Sequence, residues 1–135
     1  MSAEENKATF MRFAGELGRG NLAIVDEVCS PNFAFHSPNW PDWPRGLEGA
    51  RTLAKLSSTL FSDIDGKMED IFAEGDKVVV RWTAGGTYIG EARPGTPNPG
   101  DRFSLGGMSI YRFVDGKIAE DWGVEVFGPV GKPWG

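Results

Sequence analysis

One cysteine and one histidine stand in the 135 residues. Cys29 has no partner for an internal disulfide, and with His36 alone beside it the usual zinc ligand sets cannot be assembled. Positive charge is also scarce: 14 Lys and Arg against 19 Asp and Glu leave a net charge of -5. That is the wrong sign for a surface that neutralises phosphates, so nucleic acid is not expected as a partner. Apolar runs are short, Val78 to Val80 being typical, and fall far below the roughly 20 residues that cross a bilayer. The opening residues Met1-Ser2-Ala3-Glu4-Glu5 lack the basic and apolar stretches of a leader. With the lone thiol they make a cytoplasmic location the expectation. Gly-x-Ser-x-Gly and the Walker lysine motif are both missing, which argues against a nucleophile elbow and a phosphate loop.

Nineteen Gly and nine Pro without a repeat period point to turns and bulged strands rather than a helical bundle. The length suits one domain over residues 1–135, large enough to bury roughly 70% of the unfolded chain's surface. Ser2 and Glu5 form a capping box, and Phe10, Phe13, Ala14 and Leu17 follow at helical spacing until Gly18 and Gly20. Asn21 then caps a short helix from Leu22 to Cys29, and Phe33 and Phe35 alternate in a strand. A proline- and tryptophan-rich loop runs from Ser37 to Gly49, and Ala50, Leu53, Leu56 and Leu60 mark a third helix. Two hairpins complete the chain: residues 67–88 turn at Glu74-Gly75-Asp76, and residues 102–127 turn at Asp115-Gly116. Gly85-Gly86 and Gly106-Gly107 interrupt strand patterns, where bulges or sharp curvature are expected. The whole reads as α+β, a strongly curved, mainly antiparallel sheet wrapped around three N-terminal helices with a hollow between them.

Several short motifs recur in a recognisable order. They are Glu5-Asn6-Lys7, Gly20-Asn21-Leu22, Pro31-Asn32-Phe33 before His36, and Ala73-Glu74-Gly75-Asp76-Lys77-Val78-Val79 with Arg81 and Gly86-Thr87. Asp115-Gly116-Lys117-Ile118 with Glu120 and Trp122 closes the series. The chain resembles the SnoaL-like polyketide cyclases, or ester cyclases, of the nuclear transport factor 2-like superfamily. The resemblance implies a cone-shaped barrel that takes a small hydrophobic ligand without metal or organic cofactor, in a homodimer or homotetramer. It also implies an acid-base aspartate four residues after the tryptophan of Glu-x-Trp, where this chain has Val126.

Glu125 and Asp121 are the candidate catalytic carboxylates, with Glu125 first. On an unbroken strand, however, Glu120, Trp122, Val124 and Val126 share one face while Asp121, Gly123 and Glu125 share the other. A bulge near Gly123 would be needed to turn Glu125 inward. His36 is the third catalytic candidate, its ordinary pKa near 6.5 suiting proton transfer. Trp40, Trp43, Trp82, Trp122 and Tyr88 offer stacking surface and N–H or O–H donors for a flat ketone, and Arg112 lies in a strand among them. Trp40 and Trp43 line either a pocket mouth or a subunit interface. The chemistry expected is proton abstraction beside a carbonyl, leading to intramolecular aldol closure or isomerisation. Water addition of the epoxide hydrolase kind and ligand binding without chemistry are the alternatives.

Overall fold

The computed structural model describes residues 1–128 and 130–134. Helix α1 spans Ala3–Gly18 and begins on the capping box: the Glu5 amide donates to Ser2 Oγ at 3.1 Å, and the Ser2 amide donates to Glu5 Oε1 at 3.0 Å. Helix α2 covers only Ile24–Val28. Asn21 does not cap it, because its amide donates instead to Glu16 Oε2 at 2.8 Å, back on α1. Strand β1 starts at once, Cys29–His36, so the chain leaves the helix two residues before Pro31. Pro31 is tolerated because β1 is an edge strand. Helix α3, Gly46–Leu60, begins one turn earlier than its apolar spacing suggests.

The rest is sheet. Strands β2 (Phe61–Glu74), β3 (Lys77–Tyr88), β4 (Arg102–Val114) and β5 (Lys117–Gly128) form an antiparallel meander, and β1 joins β5 in parallel, giving the order β1-β5-β4-β3-β2. The sheet stays open, with β1 and β2 as its edges. Among the described residues no helix is long and apolar enough to cross a membrane.

The concave face carries the core. Val78 and Val80 of β3 and Phe113 of β4 pack against Phe10, Ile24 and Val25 from the helices, all of them 4% exposed or less. At the other end of the sheet Phe61, Tyr88, Phe103 and Leu105 form a second buried cluster. Fully burying one such side chain contributes roughly 1.5–3 kcal/mol, so these two clusters dominate the stability.

Only the first glycine pair sits at a bulge: Ser62 pairs with Thr87 and Asp65 with Gly85, so β2 carries an extra residue opposite Gly86. β3 and β4 pair without interruption from Lys77 opposite Arg112 to Thr87 opposite Arg102, through both Gly85-Gly86 and Gly106-Gly107. Two of those glycines make room instead for indoles. A Cβ on Gly107 would lie 2.3 Å from the Trp82 ring on the concave face, and one on Gly106 would lie 2.6 Å from the Trp134 ring on the convex face. The decisive bulge is in β5. Phe113 pairs with Ile118 but Arg112 pairs with Glu120, so Ala119 is the extra residue. This single insertion reverses the parity of everything after it.

Candidate active site

Beyond Ala119, strand β5 presents Asp121, Gly123, Glu125 and Phe127 to the concave face, opposite Tyr111, Ser109, Gly107 and Leu105 of β4. Both candidate carboxylates therefore point inward. No bulge is needed at Gly123, because the reversal has already happened four residues upstream.

Asp121 is 4% exposed and its Oδ1 has no hydrogen-bond partner. Burial pushes its carboxyl up to about 7, against the Ser109 hydroxyl, which favours the ionised form, and with help from the negative charge of Glu125. Gly123 shapes this corner. A Cβ there would stand 2.8 Å from Ser109 Oγ and 3.2 Å from Asp121 Oδ1, so both polar groups lean into the space that glycine leaves. Four residues along a strand span roughly 13 Å, and the lean of Asp121 over Gly123 carries it toward Glu125. Tyr111, opposite Asp121, has its phenol held well above the ordinary value by burial, with Asp121 adding to the effect. It is a neutral hydroxyl at physiological pH.

Glu125 is half-buried, one inward position before Phe127, which packs on the second cluster. Its Oε1 accepts the Trp40 indole N–H at 2.9 Å, and its backbone carbonyl accepts the Asn39 side-chain amide at 2.9 Å. Trp40 meets Trp43 edge to face with ring centroids 5.6 Å apart, and Trp43 meets Phe35 in the same manner at 5.5 Å. Trp82 lies across Gly107, the residue directly opposite Glu125. Three of the five tryptophans thus gather on the Glu125 side of the pair.

The remaining expected site residues lie elsewhere. Tyr88 is 1% exposed in the second buried cluster, where its hydroxyl is taken by the Glu91 carbonyl at 2.6 Å. His36, Arg112 and Trp122 stand on the convex face. His36 follows the inward Phe35 and so points outward; it shares Glu120 with Arg112, at 2.8 and 2.7 Å, and stacks on Trp122 with centroids 5.5 Å apart. Partial burial works against ionised Glu120, but the hydrogen bonds from His36 and Arg112 outweigh it and hold its carboxyl below the ordinary value. The β5 bulge is the reason Glu120 and Trp122 face away: without it they would be inside. Val126, where the resemblance implies an aspartate, is 46% exposed on the same convex face.

Ser109 and Tyr111 are site residues the sequence reading passed over, although both oppose an inward residue of β5 once the register is known. Cys29 is no nucleophile: burial pushes its thiol up to about 12, and the nearby Asp121 charge adds to this.

An α+β cone with helices inside a curved sheet, and an acidic interior with tryptophans beside it, is the architecture on which the comparisons bear. Residues 8–125 match the SnoaL-like polyketide cyclases, and the chain belongs to that family. No curated protein matches the sequence. Among solved structures, TsrD from Streptomyces laurentii is 27% identical with a TM-score of 0.74, over 93% of this chain and 90% of that one. IdmH from Streptomyces antibioticus, a proposed polyketide cyclase, is 26% identical with a TM-score of 0.71, over 89% of this chain and 91% of that one. AclR from Streptomyces galilaeus, a proposed hydroxylase, is 28% identical with a TM-score of 0.74, over 96% and 83%. These relatives carry different functional descriptions on one scaffold, so the reaction has to be argued from the site.

Proposed function

We propose that this protein catalyses acid-base chemistry on a small hydrophobic carbonyl compound, in the manner of a polyketide cyclase or isomerase. The observation that carries the reading is the inward pair on β5, in which Asp121 is held protonated close to neutrality while Glu125 accepts a hydrogen bond. Glu125 takes the proton from the carbon next to the carbonyl, and the protonated Asp121 donates to the oxygen on which charge develops. In ring closure the enolate carbon then attacks a second carbonyl of the same molecule, and the new alkoxide takes up a proton. In isomerisation the proton returns to a different carbon. Neither course changes the oxidation state of the protein or consumes a second reactant. The aromatic walls supply the surface on which a flat, largely apolar substrate packs.

The test is solvent exchange into the bicyclic ketone 2-tetralone in heavy water, followed by NMR. The wild-type protein is expected to accelerate exchange of the protons beside the carbonyl. Glu125→Gln and Asp121→Asn should each lower the rate by 10²-fold or more, the usual worth of a positioned acid or base. Exchange at the wild-type rate in both variants would refute the assignment. Saturable ligand binding with no exchange would make the protein a binder.

The convex face supports assembly from two copies. Met108, Ile110, Trp122, Val124 and Val126 are each 38–47% exposed there, and some of them border an apolar depression of about 650 Å³ beside His36. An exposed patch of this kind on an acidic chain is best covered by the same patch of a second copy, which adds no charge to the contact.

A further inference from the structure

Two tryptophans of the β1–α3 loop are held in different ways. The Trp43 N–H donates to the Gly49 carbonyl of α3 at 2.9 Å, and Gly49 is packed so tightly that a Cβ would fall 1.8 Å from the Pro44 oxygen. That indole is fixed to the scaffold. Trp40 packs edge to face on Trp43, and its neighbour Asn39 is tied to the Glu125 carbonyl, but its indole N–H makes no bond to the helix: it donates to Glu125, the proposed base, and the guanidinium of Arg93, from the β3–β4 loop, sits 5.9 Å over the ring. Deeper in, Asp121 Oδ1 is buried with no partner, although buried polar atoms nearly always have one. One end of the carboxylate pair is therefore satisfied by the protein's own indole, while the other keeps an oxygen without a partner.

From this we infer that Trp40 is a displaceable plug: its indole occupies the place of a substrate ring, and its N–H stands in for a substrate hydroxyl on Glu125. The inference rests on the functional reading above and names its substrate class. The ligand is a planar, fused-ring compound that carries a hydroxyl donor to replace the indole N–H at Glu125. Its carbonyl lies further in and receives the proton of Asp121. A ring without that donor would leave the Glu125 carboxylate unpaired on displacing Trp40, at the cost of a hydrogen bond to a charged group. Selection for a hydroxylated ring follows from the latch.

The experiment measures binding of 1-naphthol and 1-methoxynaphthalene, which share a ring system and differ in the donor. Calorimetry on the wild-type protein should show 1-naphthol bound about tenfold more tightly, the worth of one hydrogen bond to a charged group. Trp40→Phe keeps a ring but removes the latch, so both probes should bind about tenfold more tightly while the preference for 1-naphthol persists. Trp40→Ala removes the plug and should tighten both further. In Glu125→Ala the preference between the two probes should vanish. Weaker or unchanged binding in Trp40→Phe and Trp40→Ala would make Trp40 a wall of the site and overturn the inference. Absence of binding to wild type and Trp40→Ala alike would do the same, since an unplugged site must accept the ring. The Phe variant carries the test if the Ala variant fails to fold. All of these affinities are read without turnover. Displacement of the plug with no proton exchange into 2-tetralone would therefore uphold this inference and sink the proposed chemistry.

Discussion

Replacing Asp121 by Asn should make the protein more stable and less active at once, and the stability gain should depend on pH. The folded carboxyl sits near 7 because of burial, against 3.8 for the unperturbed group. Below 3.8 both folded and unfolded chains hold the proton. Between 3.8 and about 7 the unfolded chain releases a proton that the folded chain keeps, so stability falls as pH rises, by about 1.36 kcal/mol per pH unit. Across the three-unit gap the loss is about 4 kcal/mol, and from pH 5 to pH 8 it is about 3 kcal/mol. The residue is 4% exposed, so solvent screening does not reduce these figures much. Asn has no proton to lose, and its amide leaves at most one group unmet, a cost of about 1 kcal/mol. Asp121→Asn should therefore lie within about 1 kcal/mol of wild type at pH 5 and be more stable by roughly 3 kcal/mol at pH 8. At about 2–4 °C per kcal/mol for a domain near this size, the pH 8 gain is roughly 10 °C in Tm. Urea or thermal unfolding of both proteins at equal concentration in the two buffers measures it. A difference that is the same at pH 5 and pH 8, or a less stable variant at pH 8, would show that the carboxyl is not held protonated.

The other expectations concern the two faces of the sheet. His36→Ala should leave the exchange rate within about threefold, because the ring lies across the sheet from Asp121; a loss of 10²-fold would return His36 to the chemistry. Val124→Glu, on the exposed convex patch, should lower the mass seen by light scattering from two copies to one, and a wild-type mass of 14.7 kDa at micromolar concentration would refute the covered face. Gly107→Ala forces the Trp82 indole off its seat inside the core and should cost roughly 1–3 kcal/mol by urea unfolding. Gly106→Ala only displaces Trp134, a half-exposed ring near the chain end, and should cost under about 1 kcal/mol; equal costs for the two glycines would contradict the assignment of their faces.

Most of the architecture was legible because it follows from local rules. The capping box, the helical spacing of Phe10, Phe13 and Leu17, and the turn at Asp115-Gly116 each act over a few residues, and each stands where the spacing puts it. The extent of α2 was not legible, since Asn21 has two places to send its side chain and the choice of Glu16 depends on the end of α1. Gly85-Gly86 does lie opposite a bulge, but Gly106-Gly107 was misread for a related reason. A glycine needed for a bulge and one needed to seat an indole look alike in sequence, and the indole over Gly107 comes from a neighbouring strand. The site was half legible. Residue types came through, but facing did not, because an alternating pattern records parity only within an unbroken strand. Ala119 carries no mark that distinguishes a bulged alanine from a paired one.

That one unmarked residue decides the chemistry of two consecutive carboxylates. Glu120 and Asp121 are neighbours on the same strand, and the pleat sends them to opposite sides. Outside, Glu120 meets Arg112 and His36, stays ionised, and serves as the hub of a small polar cluster beside an apolar patch. Inside, Asp121 meets Phe35, Tyr111 and the Gly123 gap, keeps its proton to about 7, and leaves an oxygen without a partner. Had the strand paired without the extra residue, the charge-satisfied glutamate would occupy the core and the destabilised aspartate would be free in solvent. The fold would then lose an interior group that can give up a proton near neutral pH. A local irregularity that costs ladder hydrogen bonds is thus what converts an ordinary acidic strand into a site with an acid poised for use.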